Sequence, residues 1–312
     1  MKIAFLNIYQ NKVGRGAETF VRELSGRLAI NHSVDVISDV SYAELFKKNY
    51  DLIIPTNGRL QSILVRVITR LKGARVIISG QSGPGFDDRL NLLTFPDAFV
   101  GLTEFQAEWA RKANPFVKVV KIPNGVDLQK FNAEDKGKDK SAAHENRIVL
   151  SVGAFTKEKR HDLTIRAVAK LQNVKLIIAG GGGDRKEEIR KLGEGLLGDR
   201  FGILSVPGGK MPGIYKRGDL FVYPTVPWES FGIAIVEAMA TNLPVVANDD
   251  PIRREIAGGA GLFVDPANTN SYAKALKEAL NKNWGDKPRR QAEKFDWDRI
   301  ALEYEKLFKE LA

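Results

Sequence analysis

The sequence predicts an α/β chain of two βαβ halves, each built on a parallel sheet, facing a cleft. Three observations predict it. Short β-rich apolar runs alternate with helical stretches. The alternation stops once, at a polar segment, and then restarts. At 312 residues the chain has room for two cores of about 150 residues each.

The first half supplies strands at Ile3–Ile8, Val34–Ser38, Asp51–Pro55, Arg75–Ser79, Ala98–Leu102 and Val117–Ile122. Helical periodicity fills Ala17–Ala29, Leu60–Leu71 and Thr103–Ala113 between them. Strands separated by helices of this length indicate parallel pairing, because a parallel connection needs a crossover. The stretch NAEDKGKDKSAAHEN, Asn132 to Asn146, is charged and lacks apolar periodicity, so it reads as a linker or surface loop. The alternation resumes with strands Ile148–Val152, Lys175–Ala179, Leu220–Tyr223, Leu243–Ala247 and a shorter Gly261–Val264. The helices are His161–Leu171, Arg185–Leu196, Phe231–Ala240 and Ser271–Asn281, with a last one from Trp297 to the end. The expected division is a first domain 1–130, a linker 131–146, a second domain 147–295 and a final helix 296–312. Open α/β sheets bind ligands beyond the carboxyl ends of their strands, so the cleft is the expected site.

Composition narrows the function classes. Cysteine is absent, which excludes disulfides, thiolate zinc sites and a cysteine nucleophile. No apolar run reaches about 18 residues, so no spanning segment is expected. The opening residues, Met1 to Ile8, turn polar too early for a secretory signal, which fits a cytoplasmic location. The net charge of +10 suits anionic partners such as nucleic acid, acidic lipid or phosphorylated small molecules, and equally plain solubility.

The most informative segment runs from Tyr223 to Ala247, YPTVPWESFGIAIVEAMATNLPVVA. A strand ends at Tyr223 and Pro224. A loop leads to Glu229, Ser230, Phe231 and Gly232, and an amphipathic helix carrying Glu237 follows. The free N–H groups and positive dipole end of that helix start suit a phosphate or diphosphate. Gly232 would leave room for close approach. Eight helical positions rise about 12 Å, roughly the length of a sugar–diphosphate–ribose unit. One carboxylate would then grip sugar hydroxyls and the other ribose hydroxyls. On spacing alone, Glu229 also reads as a dipole partner and Glu237 as a solvated helix residue.

The run ESFGIAIVE from Glu229 to Glu237, followed by AMATNLPVVA, resembles the E-x7-E region of retaining glycosyltransferases of the GT-B fold, family 4 type. The resemblance extends along the chain. Gly14, Arg15, Gly16, Ala17 and Glu18 resemble the family's first glycine-rich loop, and Pro123 to Asp127 resembles the close of its first domain. Ser151 to Gly153 with Lys157 to Lys159 resembles the opening of its second domain. Phe295, Asp296 and Trp297 resemble the segment before its C-terminal helix, which crosses back to the first domain. The resemblance implies two Rossmann-like domains: an acceptor-side first and a nucleotide-sugar-binding second. It gives Glu229 the donor sugar, Glu237 the ribose and Lys159 the diphosphate, where a cation stabilises the leaving group. Arg160 is a second cation candidate. Ser230, Phe231 and Gly232 at the helix start, and Gly16 through its backbone, complete the expected donor site. Gly14 and Gln81 are expected on the acceptor side.

Two departures stand out. Ala154 occupies a position where the family usually has Arg. The region Ile78 to Gly85 has Gln81 but no His, where many members have one. None of His32, His144 and His161 reads as a base. Catalysis would then rest on positioning and leaving-group stabilisation. The one D-x-D, Asp296 to Asp298, reads better as a helix cap, and Asp87–Asp88 and Asp249–Asp250 as turn residues, so neither a metal nor a cofactor is expected.

Leu60, Leu64, Val67 and Leu71 form an apolar helix face beside Arg59, Arg66 and Arg70, with Lys72 and Arg75 following. No acidic residue lies between 59 and 75. The stripe suits a peripheral contact with anionic lipid at the inner membrane face, or a solvated face of a helix packed on its sheet. The expected activity is transfer of a hexosyl unit from a nucleotide-sugar (UDP- or GDP-sugar) to a glycan, lipid-linked or small-molecule acceptor, with no nucleic-acid partner. A nucleotide-sugar epimerase on this fold and a non-catalytic nucleotide-sugar-binding protein are the alternatives.

Overall fold

The computed structural model describes residues 1–312 apart from 11, 13–15, 133–146 and 207. The chain forms two compact units. Unit 1 comprises Met1–Gly125, Trp228–Phe231 and Phe295–Ala312, and unit 2 comprises Val126–Pro227 and Gly232–Lys294. The first domain was expected to run to 130. Residues 126–132 belong to unit 2 because Val126 is buried and Arg289 donates to the carbonyls of Leu128 and Phe131. The rest of the expected linker, with His144, lies outside the described residues.

Unit 1 holds β1 (Lys2–Leu6), β2 (Ser33–Ile37), β3 (Leu52–Pro55), β4 (Arg75–Ser79), β5 (Ala98–Gly101) and β6 (Val119–Lys121). They pair in parallel in the order β2-β1-β3-β4-β5-β6. Burial explains their composition. The central β3 (LIIP) and β5 (AFVG) are apolar throughout and buried throughout. The edge strand β2 (SVDVI) alternates with polar residues. The helices are α1 (Gly16–Leu28), α2 (Tyr42–Lys47), α3 (Leu60–Lys72), α4 (Phe86–Leu93) and α5 (Glu104–Ala113).

Unit 2 repeats the plan with β7 (Arg147–Val152), β8 (Val174–Ala179), β9 (Phe201–Leu204), β10 (Leu220–Tyr223), β11 (Val245–Asn248) and β12 (Gly261–Val264). All pairs are parallel, in the order β12-β11-β10-β7-β8-β9. Its helices are α6 (His161–Val168), α7 (Lys186–Leu197), α8 (Met211–Lys216), α9 (Ile233–Ala240), α10 (Pro251–Ala257), α11 (Thr269–Asn281) and α12 (Lys287–Ala292).

The last helix, α13 (Trp297–Leu311), belongs to unit 1. The Asp296 side chain caps it by accepting from the Asp298 N–H at 3.1 Å. Its face of Trp297, Ile300, Tyr304 and Phe308 enters the unit 1 core beside Phe20 of α1. Gly125 passes so close that a Cβ there would lie 2.7 Å from the Trp297 ring.

Several elements differ from expectation. Strand β9 was missed because its FGIL run is a four-residue edge strand, half-buried at every position. Five helices of six to eight residues were missed (α2, α4, α8, α10 and α12), since two turns or fewer carry too little periodicity. Asp249 and Asp250 lie in the bend between β11 and α10, but Asp87 and Asp88 are not turn residues. Asp87 and Asp88 sit in the first turn of α4, and Asp250 caps α10. Helix α3 buries Gln61, Ser62, Val65, Ile68 and Thr69, whereas Leu60, Val67 and Leu71 face outward.

Candidate functional site

In unit 2 the chain lays down β7, β8 and β9 in one direction, then returns to add β10 on the other side of β7. The crevice beyond the carboxyl ends of β7 and β10 is therefore the switch point where such sheets bind ligands. Lys159 and Tyr223 meet there. The Lys159 Nζ donates to the Tyr223 hydroxyl at 3.1 Å. Its stem lies across Gly153, where an added Cβ would sit 3.3 Å from Lys159 Cγ and Cδ. Tyr223 ends β10 and is almost fully buried.

The same ring explains Gly232. This residue caps α9 with φ +95°, and a Cβ there would meet the Tyr223 ring at 2.9 Å. Both the backbone conformation and the close approach demand glycine. No side chain caps α9, and the Ile235 N–H is taken by the Gly232 carbonyl at 2.9 Å, so the helix start presents the N–H groups of Ile233 and Ala234. A cation, a phenol hydroxyl and a helix N-terminus thus converge in unit 2, a set suited to a diphosphate. Sequence reasoning missed Tyr223. Its signal was its position as the last residue of a strand before the glutamate-bearing segment.

His161 works on the same loop. It is buried, and its ring bridges Ser151 Oγ (3.0 Å from Nδ1) and the Ala154 carbonyl (3.2 Å from Nε2). A carbonyl only accepts, so Nε2 carries the proton and Nδ1 accepts from Ser151. Burial lowers the His161 pKa from 6.5 to about 4. The ring is structural and holds the Gly153–Phe155 turn under Lys159. The unfolded chain binds this proton below pH 6.5 and the folded chain only near pH 4. The stabilisation is complete above pH 6.5 and is lost as the pH falls towards 4. The loss is expected to be on the order of 3 kcal/mol. Urea melts at stepped pH should show this slope in the wild type and flatten it in His161→Gln.

Arg160 adopts a left-handed conformation (φ 48°), and its guanidinium donates to the Thr225 carbonyl at 3.4 Å. It therefore braces the loop after β10. The Glu158 carbonyl accepts from the Val226 N–H at 3.1 Å and the Thr225 hydroxyl at 3.2 Å. From below, the fully buried Arg253 donates to the Pro227 carbonyl at 2.7 Å and to Asp250 at 2.9 Å.

Glu237 is half-buried on α9 and accepts from the Tyr215 hydroxyl at 2.7 Å. Burial and the adjacent carboxylate push the Tyr215 pKa well up, so Tyr215 stays a donor and orients Glu237. Two expectations need correction. Helix α9 begins at Ile233, so the segment from Glu229 to Glu237 is not one continuous helix and its helical rise does not apply. Nor is α9 amphipathic: its sequence is IAIVEAMA and five of its eight residues are buried.

Glu229 belongs to unit 1, in the short stretch Trp228–Phe231. Ser230 Oγ donates to the Gln81 carbonyl at 2.8 Å, and the buried Phe231 ring packs edge-on against Phe295 at 5.8 Å. Gly83 (φ +85°) lies beneath, where a Cβ would meet the Trp228 carbonyl at 2.6 Å. Ser230 and Phe231 thus direct their side chains into unit 1, and Glu229 is half-buried between Trp228 and Ser230. The Gln81 amide pairs reciprocally with Asn124, at 3.1 and 2.9 Å, and also donates to Ser79. These bonds make Gln81 a brace of its loop. Asp88 supports the same loop. Burial raises its pKa to about 7, and Gln106 donates both to it at 3.0 Å and to the Gly80 carbonyl at 2.6 Å. Gly16 begins α1 and is exposed, while Gly14 lies outside the described residues. Among the described residues, no cluster of three or more His, Asp or Glu is arranged to hold a metal ion.

The family model described as glycosyl transferases group 1 matches residues 132–295. An uncharacterized glycosyltransferase of Methanocaldococcus jannaschii is 30% identical over 220 residues, covering 62% of this chain and 55% of that protein. A phosphatidyl-myo-inositol mannosyltransferase of Mycolicibacterium smegmatis is 28% identical over 201 residues, covering 61% of this chain and 51% of that protein. The chain thus spans about half the length of these curated relatives. Among solved structures, HepE of Anabaena in complex with UDP and glucose superposes with a TM-score of 0.83 at 17% identity, covering 99% of each chain. Sucrose-phosphate synthase of Thermosynechococcus elongatus gives 0.79 at 20% identity, covering 100% of this chain and 99% of that one. These likenesses establish the GT-B fold.

Proposed function

The chain belongs to the group 1 glycosyl transferases, and we propose that it moves a hexosyl unit from a nucleotide-sugar to a glycan, lipid-linked or small-molecule acceptor with retention of anomeric configuration. The observation that carries this reading is the meeting of Lys159, Tyr223 and the start of α9 at the β7/β10 switch point of unit 2. The donor diphosphate lies over the α9 N-terminus, with Lys159 balancing the charge that grows as the glycosidic bond breaks. Glu237, steadied by Tyr215, takes the ribose hydroxyls, and Glu229 takes the donor sugar. UDP-sugars head the donor class and GDP-sugars follow; the UDP and glucose bound to HepE support the first. No residue acts as a proton-accepting His, and no metal takes part. A lipid-linked acceptor at a cytoplasmic membrane face also accounts for the outward apolar stripe of α3.

A thermal-shift screen against nucleotides and nucleotide-sugars, with and without EDTA, tests the donor half. A ligand at a hundredfold its Kd adds about 2.7 kcal/mol to the folded state, so the right donor should raise the midpoint visibly. EDTA should leave that shift and the turnover unchanged. No shift with any nucleotide-sugar, or a shift that EDTA abolishes, would contradict the proposal.

A further inference from the structure

Helix α3 buries a mixed polar and aliphatic side and leaves a second, aliphatic stripe facing outward. Leu60, Ile63, Val67 and Leu71 recur at helical spacing and are 51–70% exposed. A helix covering a sheet ordinarily buries such a stripe. Here the buried side is Gln61, Ser62, Val65, Ile68 and Thr69, and Ser62 donates to Asn91 of α4 at 3.0 Å. Helix α4, held beside the first turn of α3 by Asn91 and by the Arg59–Asp87 ion pair, repeats the pattern. Its Phe86 and Leu93 are 72% and 57% exposed.

The charges around these stripes have one sign on α3. Arg66 is tied to Asp97 at 2.7 Å, so the outward charge rests on Arg70 and Lys72 of α3 and on Arg89 of α4, all three exposed. No carboxylate interrupts 59–75. A two-fold contact between copies through α3 would bring these like charges together. An anionic bilayer surface instead takes both features at once: headgroups meet the cations and the acyl boundary meets the aliphatic stripe.

We propose that α3 and α4 seat unit 1 on an anionic lipid surface. The helices lie in the plane of the interface, Leu60, Ile63, Val67 and Leu71 enter the acyl boundary, and Arg70, Lys72 and Arg89 reach the headgroups. This deepens the reading of a lipid-linked acceptor but does not require it, because vesicle binding is measured without donor or acceptor.

The test is co-sedimentation of the full chain with phosphatidylcholine vesicles, with and without phosphatidylglycerol. The wild type should bind only the phosphatidylglycerol vesicles, and added salt should weaken that binding. Ile63→Glu/Val67→Glu should lower the partition coefficient roughly tenfold or more, and Arg70→Glu/Lys72→Glu by a similar factor. Both pairs change exposed positions, so melting curves and the donor-induced thermal shift should match the wild type. Equal binding to both vesicle types, or no loss in either double variant, overturns the proposal. So does a concentration-dependent dimer that Ile63→Glu/Val67→Glu dissolves while no lipid binding is seen. Loss of the donor shift alone would count against the donor reading and leave the lipid surface standing.

Discussion

Lys159→Ala is expected to lower kcat by about a hundred- to a thousandfold while unit 2 stays folded. The two effects separate because they have different sizes. In the fold, Lys159 makes a half-exposed hydrogen bond to the Tyr223 hydroxyl, a contact worth about 1 kcal/mol. In the proposed reaction, the ammonium would face the charge that develops on the leaving diphosphate. Removal of one such preorganised donor costs about 3–4 kcal/mol of barrier. Tyr223→Phe keeps the cation and removes only the hydroxyl that aims it, so its loss should be smaller. Lys159→Arg keeps the charge and the two methylenes that lie over Gly153 but replaces the compact ammonium with a planar fork, and should recover only part of the rate. The measurement is kcat and KM for the donor, with a melting curve for each variant. An alanine variant with wild-type kcat would remove Lys159 from the chemistry.

Arg253→Leu is expected to produce the largest loss of stability. The guanidinium is fully buried and binds the Asp250 carboxylate at 2.9 Å and the Pro227 carbonyl at 2.7 Å. Its loss leaves a nearly buried carboxylate without its cation and a carbonyl without that donor. Breaking a buried pair from one side costs about 3–5 kcal/mol. Asp250 retains its bond from the Arg253 backbone N–H, which favours the low end. At about 2–4 °C per kcal/mol for a unit of this size, the melting midpoint should fall by several degrees at least. Adding Asp250→Ser, which keeps an α10 cap and removes the stranded charge, should restore part of the loss. A single-variant drop of about a degree or less would show that the pair contributes little.

The two halves and most of the longer helices were legible because each rests on local chemistry, whereas the return of the last helix was expected only through resemblance. β3 and β5 read as strands because both their faces are covered, so apolar residues run unbroken. Asp296 read as a cap from its place alone, and it is one. β9 and the short helices were not legible, because too few residues commit to one face. Within the candidate site, Lys159 and Glu237 were singled out through resemblance, but Tyr223, Tyr215 and Arg253 were not. The two tyrosines are ordinary core residues until the fold brings each against its partner, and Arg253 is an ordinary helix cation until burial seats it on the Pro227 carbonyl. Gly232 was expected to make room for a ligand. Its φ of +95° and its contact with Tyr223 show a nearer cause.

By itself the sequence determined the α/β class, the double sheet and the residues able to bear charge at the segment from Glu229 to Glu237. Periodicity, composition and residue chemistry are properties of neighbours along the chain, and they survive without a fold. Only the tertiary structure decided that Lys159 reaches from Gly153 to Tyr223, that Ser230 binds the Gln81 carbonyl, that His161 is a neutral brace, and that α3 turns an aliphatic face outward. Each of these depends on which groups the strand order and burial bring together, and one-dimensional spacing does not encode that.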